Sequence, residues 1–262
     1  MDTKKHISYL KSHGFTVIEN FLSDNQVNHF RNLIKDYFAD GKNRCLGYKD
    51  KTSTLKPDGI NEPYFEDMKL IFSNKKLINV MKELSDDNVR YVHHFDIHLN
   101  MPGAKGWHTD VQSIYQDGGK YLTKDQGGVW KSVYGVYRMA IFLQDHYNNR
   151  GGLSVIPASH LIEENEHKIY NGIDTHLFED EYYIPSSAGD CILFDARLLH
   201  KGHHLDEDRY SIFTAIGIDN ELSKEHARGS IDRQIRQNLQ TEYKLQGYMK
   251  DILDELNIKY DY

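Results

Sequence analysis

Between Val89 and Ile218 the apolar residues arrive in short runs separated by Gly, Pro and Asp: 89–100, 137–143, 153–156, 182–184, 190–195 and 209–218. Runs of that length and punctuation predict the strands of an antiparallel sandwich or barrel. On both sides the spacing lengthens to that of helices. Val27, Phe30, Leu33, Ile34, Tyr37 and Phe38 recur at helical intervals behind the cap signal Ser23-Asp24-Asn25. Before them Gly14-Phe15-Thr16-Val17-Ile18 reads as a short strand. Residues 43–65, with charges, Gly and two Pro, read as a long loop. Residues 66–84 read as one helix with Met68, Ile71, Phe72, Leu77, Val80, Met81 and Leu84 on its buried side. From Asn220 onward Ile231, Ile235, Leu239, Tyr243, Met249, Ile252 and Leu256 leave one apolar side on a charged segment. That side suits packing on the chain's own sheet, with a pocket cover or a homodimer contact as alternatives. No repeat or linker interrupts the pattern. The expectation is one domain, 1–262, with a mainly helical part at 1–88, a β core at 89–218 and a helical tail at 220–262.

The 262 residues suffice to bury a sizeable core. A net charge of −7 without a basic block argues against nucleic acid or an anionic membrane and leaves a small molecule as the expected partner. Eighteen Tyr, 11 Phe and 2 Trp suit apolar walls with polar handles. Cys45 and Cys191 form neither a disulfide framework nor a CxxC motif. The first residues carry no signal-like apolar run and no stretch reaches membrane-spanning length, so the expected location is cytoplasmic.

Candidate chemistry begins with His-x-Asp, which occurs three times: His94-Phe95-Asp96, His108-Thr109-Asp110 and His204-Leu205-Asp206. In a chain with 15 His and 39 acidic residues the motif alone decides little. Context favours the second. His108 and Asp110, two apart in extended backbone, point to one side and can serve one ion. Two histidines and a carboxylate on one face of a metal are what a mononuclear non-haem Fe(II) site needs. His200, directly after the apolar run 190–195 and its continuation, is the third candidate ligand; His203 and His204 compete with it by count alone. On the next strand Arg209, Ser211, Phe213 and Ala215 share a face by period two. A guanidinium on such a face calls for an anion, and a carboxylate can take it bidentately with the Ser211 hydroxyl adding a bond. His94 and Asp96 read as a polar wall or hydrogen-bonded pair.

Several stretches together resemble the phytanoyl-CoA dioxygenase-like family of Fe(II)/2-oxoglutarate-dependent oxygenases. They are Gly14 to Ser23, Gly106-Trp107-His108-Thr109-Asp110, and Arg138 through Phe142-Leu143-Gln144-Asp145-His146 to Gly151-Gly152-Leu153-Ser154-Val155-Ile156-Pro157-Ala158-Ser159-His160. Gly189-Asp190 to Phe194, His200 and Arg209 complete the set. The similarity runs from about residue 14 to 218. It implies a double-stranded β-helix: a jelly roll, cupin-like, mainly β, with helices packed on one sheet. It implies His108, Asp110 and His200 as iron ligands and Arg209, with Ser211, as anchor for the far carboxylate of 2-oxoglutarate. O2 is the third reactant. His98 and Asn100 are candidates for the near carboxylate. Two positions depart from the family pattern. Ala158 stands where a Gly is usual, and Gly202 stands where some relatives carry a Ser whose bond Ser211 would take over. Halogenating relatives lack the carboxylate that Asp110 supplies, so hydroxylation of an unactivated C–H, with succinate and CO2 as coproducts, is the expected reaction. Desaturation and ring closure remain open.

Residues 111–136 form a long insertion rich in Gly, Lys and aromatics, expected to cover the site. Trp107, Tyr115, Trp130 and Arg138 are the candidate substrate contacts. Two rivals stand beside this reading. A cupin-like metal enzyme without 2-oxoglutarate would need the triad but not Arg209 and Ser211, and a non-catalytic binding jelly roll would need neither.

Overall fold

The structure is a computed structural model that describes residues 2–39, 53–55, 66–67, 69–100, 106–111, 134–161, 180–205, 208–236, 245 and 247–261. Nine strands are assigned among them: β1 (Phe15–Ile18), β2 (Ser53–Leu55), β3 (Val89–Leu99), β4 (Val136–Phe142), β5 (Leu153–Val155), β6 (Tyr182–Ile184), β7 (Cys191–Asp195), β8 (His200–Gly202) and β9 (Tyr210–Ile218). They form a six-stranded sheet in the order β1-β7-β4-β9-β3-β2 and a three-stranded sheet β6-β5-β8. Every pairing between these strands is antiparallel, as the jelly-roll expectation requires. The predicted strand limits agree with those observed to within a residue or two.

Helices cover one face of the large sheet: α1 (Thr3–His13), α2 (Asp24–Ala39), α3 (Lys69–Phe72), α4 (Lys75–Ser85) and α6 (Gly247–Glu255), while α5 (Glu221–Arg236) lies against β3. Alternate residues of each strand divide between the faces. Met139, Ile141, Leu193, Ile212 and Ile216 turn to the helices, where α2 adds Phe30 and Ile34 and α4 adds Leu77, Val80 and Met81, all fully buried. Each such aliphatic side chain contributes about 1.5–3 kcal/mol. Phe72 packs edge-on against Tyr91 and Phe95 of β3 at 5.4 and 5.7 Å. The other face, with Ala140, Phe142, Ile192 and Phe194, meets Leu153, Val155 and Ile184 of the small sheet. That inner space is where the site lies. In the tail, Met249, Ile252 and Leu253 are buried in the chain's own helix-side core. None of the described helices is long and apolar enough to cross a membrane.

Two sequence expectations are corrected. The single helix at 66–84 is two, because the side chain of Asn74 accepts hydrogen bonds from the backbone of Lys76 and Leu77 and starts a new helix there. The loop 43–65 contains β2, whose register with Leu99, His98 and Ile97 extends the large sheet. A three-residue strand in polar sequence gives no periodic signal; pairing with β3 supplies its order.

Gly14 ends α1 at φ +84°, its N–H bonding the Leu10 carbonyl. A Cβ there would stand 2.6 Å from both the His160 ring and Leu198. Only glycine lets the chain turn from α1 into β1 while its own carbonyl accepts the Asp195 N–H at 2.8 Å, one turn away from His200.

Candidate metal centre

His108 and His200 lie 92 positions apart in sequence and directly opposite in space. Each donates its backbone N–H to the other's carbonyl at 3.0 Å, a closed antiparallel pair. Their rings are 4.3 Å apart. Asp110, two residues on, donates its N–H to the Ala196 carbonyl at 2.9 Å. This pinning brings ligand atoms of His108, Asp110 and His200 within 4.8 Å of one another. His200 Nε2 lies 4.0 Å from Asp110 Oδ2.

The ring orientations are fixed from behind. Nδ1 of His108 bonds the Gly106 carbonyl and Nδ1 of His200 bonds the Leu198 carbonyl, both at 2.9 Å. A carbonyl only accepts, so each Nδ1 carries a proton and each Nε2 is the atom left to face a metal. Burial first, then the neighbouring His108, lowers the His200 pKa to about 4 against the pull of Asp110. It is therefore neutral near pH 7. Burial works against ionisation of Asp110, but Arg138, His200 and His108 outweigh it and hold the carboxyl well below the usual range. Arg138 Nε stands 2.8 Å from Asp110 Oδ2, off the direction of a hydrogen bond. The arrangement offers two imidazole Nε2 atoms and one carboxylate, the donor set that suits Fe(II).

The turn that carries His200 is tied by its own side chains. Asp195 Oδ1 accepts from the N–H and Nε of Arg197, both at 2.9 Å, and Oδ2 accepts from Nη2 at 2.7 Å. Both residues are buried. The Leu199 N–H bonds Ser159 Oγ at 2.9 Å. Sequence reasoning missed this pair, although Asp-x-Arg just before a candidate ligand is a local turn signal.

The second end of the site lies along β9. Arg209 is buried, its pKa lowered to about 10 by burial, and its guanidinium sits 5.5 Å over the Phe142 ring. Ser211, in register with Phe142 and His98, is fully buried, and its hydroxyl makes no hydrogen bond among the described residues. An orphaned hydroxyl beside a buried guanidinium fits a carboxylate ligand. Asn100 Oδ1 accepts the Arg209 N–H at 2.8 Å and the Asn100 N–H bonds the Arg209 carbonyl at 2.7 Å. Its amide thus fastens the start of β9. His98 packs on Phe213 at 5.2 Å, with Nε2 3.8 Å from Asp96.

Behind Phe142 a further residue escaped the sequence reading. Gln144 Oε1 accepts the Tyr210 N–H, so its Nε2 donates to His146 Nε2, both at 2.8 Å. That bond and burial keep His146 neutral, its pKa lowered to about 4 by burial first and Arg209 second.

The other candidates are placed as follows. His203 Nε2 bonds Ser154 Oγ at 2.6 Å, and His204 is exposed; both stand apart from the triad. His94 Nε2 lies 3.3 Å from Asp96 Oδ2, the pair expected from sequence. Trp107 packs with Ile156 and Leu199 under the Lys201 ammonium, 4.6 Å from its ring. Tyr115 and Trp130, and with them most of the insertion 111–136, lie outside the described residues.

Comparison with known proteins gives the family and the fold. The family model described as Phytanoyl-CoA dioxygenase (PhyH) matches residues 10–205. The chain is 23% identical over 226 residues to an ectoine dioxygenase from Nocardia farcinica, covering 75% of this chain and 70% of that protein. Among solved structures, the non-heme alpha ketoglutarate dependent epimerase SnoN from nogalamycin biosynthesis superposes with a TM-score of 0.60 at 13% identity, covering 82% of this chain and 83% of that one. EctD from S. alaskensis, crystallised with 2-oxoglutarate and 5-hydroxyectoine, superposes with a TM-score of 0.57 at 15% identity, covering 82% and 75%.

Proposed function

Because the chain belongs to the phytanoyl-CoA dioxygenase family, and is thereby a 2-oxoglutarate-dependent dioxygenase that uses Fe(II) and O2, we propose that it hydroxylates an unactivated C–H bond of a small-molecule metabolite. The observation that carries the reading is the convergence of the His108, Asp110 and His200 ligand atoms in an inner space that also holds Arg209 and the orphaned Ser211 hydroxyl. Bound iron, 2-oxoglutarate and O2 supply the oxidising chemistry, with 2-oxoglutarate leaving as succinate and CO2.

The chain's own residues bind and orient. His108 and His200 present Nε2, held by the Gly106 and Leu198 carbonyls, and Asp110 supplies the anionic ligand. Arg209 and Ser211 grip the far carboxylate of 2-oxoglutarate, and Asn100 fixes the backbone from which Arg209 projects. Phe194, its ring 4.8 Å from that of His200, gives the metal end an apolar wall, and Phe142 walls the end that Arg209 holds. The presence of Asp110 as a ligand favours oxygen insertion.

The test has two stages. Anaerobic Fe(II) and 2-oxoglutarate should give the visible metal-to-ligand band, and its absence in folded protein would remove the 2-oxoglutarate reading. A metabolite screen scored by succinate release should then yield a product heavier by one oxygen atom. A product of unchanged mass, or one lighter by two hydrogens, would overturn hydroxylation while leaving the dioxygenase in place.

A further inference from the structure

The geometry points to a second arginine on the cosubstrate: we propose that Arg138 takes the metal-end carboxylate of 2-oxoglutarate, so that Arg138 and Arg209 clamp the two ends of the molecule. The inference rests on the 2-oxoglutarate reading above and assigns a contact which that reading leaves open.

Arg138 is 4% exposed, on the inner face of β4, in register with Phe194 and Ala215. A guanidinium at such depth needs acceptors for its donors. Nε stands by Asp110, while Nη1 is buried with no hydrogen-bond partner among the described residues. The planar fork can hold Asp110 with one arm and a ligand oxygen with the other. On the neighbouring wall β3 presents His94, Asp96 and His98, where the Asp96 carboxylate already lies 3.3 and 3.8 Å from the two imidazole Nε2 atoms. Arg138 is the cation that meets the triad among the described residues.

The spacing agrees. Arg209, just before β9, precedes Ala215, the register partner of Arg138, by six residues, about 20 Å of extended chain. Its guanidinium lies over Phe142, the partner of Ser211, and so leans toward Arg138. From the Ser211 row to the Ala215 row about 13 Å remain. A five-carbon dicarboxylate with a hydrogen bond of about 2.9 Å at each end fits such a gap.

The experiment uses the full chain with Fe(II), in wild type and in Arg138→Gln, Arg138→Lys and Arg209→Gln variants checked for native melting. Iron affinity is measured by chelator competition, and 2-oxoglutarate affinity at saturating Fe(II) by titrating the visible band. The Arg138→Lys variant keeps the charge beside Asp110 but loses the fork. It should bind iron within about twofold of wild type yet bind 2-oxoglutarate about 10- to 100-fold more weakly. The titration is repeated with 2-oxopentanoate, which keeps the metal-end keto acid and lacks the far carboxylate. Wild type and Arg138→Gln should both prefer 2-oxoglutarate over this analogue by the same factor, whereas Arg209→Gln should lose the preference. If Arg138→Lys restores both affinities, the residue only supports Asp110 and the proposal falls. It falls equally if Arg138→Gln binds 2-oxoglutarate as wild type does, which would leave Nη1 to a substrate anion. Absence of the band in wild type would sink the underlying reading instead.

Discussion

Replacing Arg197 by Met removes the two side-chain hydrogen bonds, at 2.9 and 2.7 Å, that its guanidinium gives Asp195, and leaves a carboxylate of 3% exposure with a single backbone donor. Breaking a buried pair from one side costs about 3–5 kcal/mol because the surviving charge has no compensation. For a chain of this size each kcal/mol lowers Tm by about 2–4 °C, so the expected fall is on the order of 10 °C. A double variant, Arg197→Met with Asp195→Leu, removes both charges and should recover most of that loss. Its defect should lie in the metal site. The Asp195–Leu199 turn presents the Ala196 carbonyl to the Asp110 N–H and the Leu198 carbonyl to His200 Nδ1. Loosening such supporting contacts weakens metal binding by about 10- to 100-fold. Thermal unfolding and anaerobic Fe(II) titration on the same samples separate the two effects. If the single variant melts within about 2 °C of wild type, the burial argument is wrong. If the double variant is stable and binds iron normally, the turn does not orient the ligands.

Other expectations follow from the same structure. His108→Ala and His200→Ala should lose iron in equilibrium dialysis, whereas His94→Ala, His203→Ala and His204→Ala should retain it; retention in His200→Ala would move the third ligand. Burial, chiefly, lowers the folded-state pKa of His93 and of His146 to about 4 from the ordinary 6.5. Below pH 6.5 the unfolded chain takes up protons that the folded chain refuses, so up to about 3 kcal/mol per histidine, fully present above pH 6.5, is lost as pH falls toward 4. Urea unfolding across that window should show the decline, and a flat profile would contradict it. Ala158 sits at φ +64°, a left-handed conformation strained for any residue with a Cβ. Ala158→Gly should therefore raise stability by about 0.5–1 kcal/mol; a lower Tm would mean that the turn favours alanine for a reason other than its backbone.

What the sequence revealed and what it hid divide along physical lines. Strands β3, β4, β7 and β9 are legible because each is a short apolar run bounded by Gly, Pro or Asp, as strands covered on both faces are. His108 and Asp110 are legible because residues two apart in extended backbone point to one side, and His200 because it follows an apolar run. The family resemblance then joined them across 92 positions. Features that depend on single long-range contacts were not legible. The helix break at Asn74 depends on one side chain capping the backbone. The irregularity in β3, where Tyr91 to Phe95 on one strand faces Ile216 to Thr214 on the other and His93 adopts φ +46°, has no compositional mark. The role of Asn100 as a fastener of Arg209, and of Gln144 in fixing His146, appears only once the strands are laid side by side.

Ala196 has a consequence for how this enzyme could be altered. Its carbonyl accepts the Asp110 N–H and its own N–H bonds the Val136 carbonyl at 3.0 Å, so the chain leaves and re-enters the core on the backbone of one residue. Ala196 thus holds both ends of the intervening stretch, at Asp110 and at Val136, on one backbone. Doubling the length of a segment anchored in this way costs only about 0.6 kcal/mol of closure entropy. A change in the number of residues between Val111 and Tyr134 would therefore leave both anchors, and with them the approach of Asp110 to His108 and His200, in place.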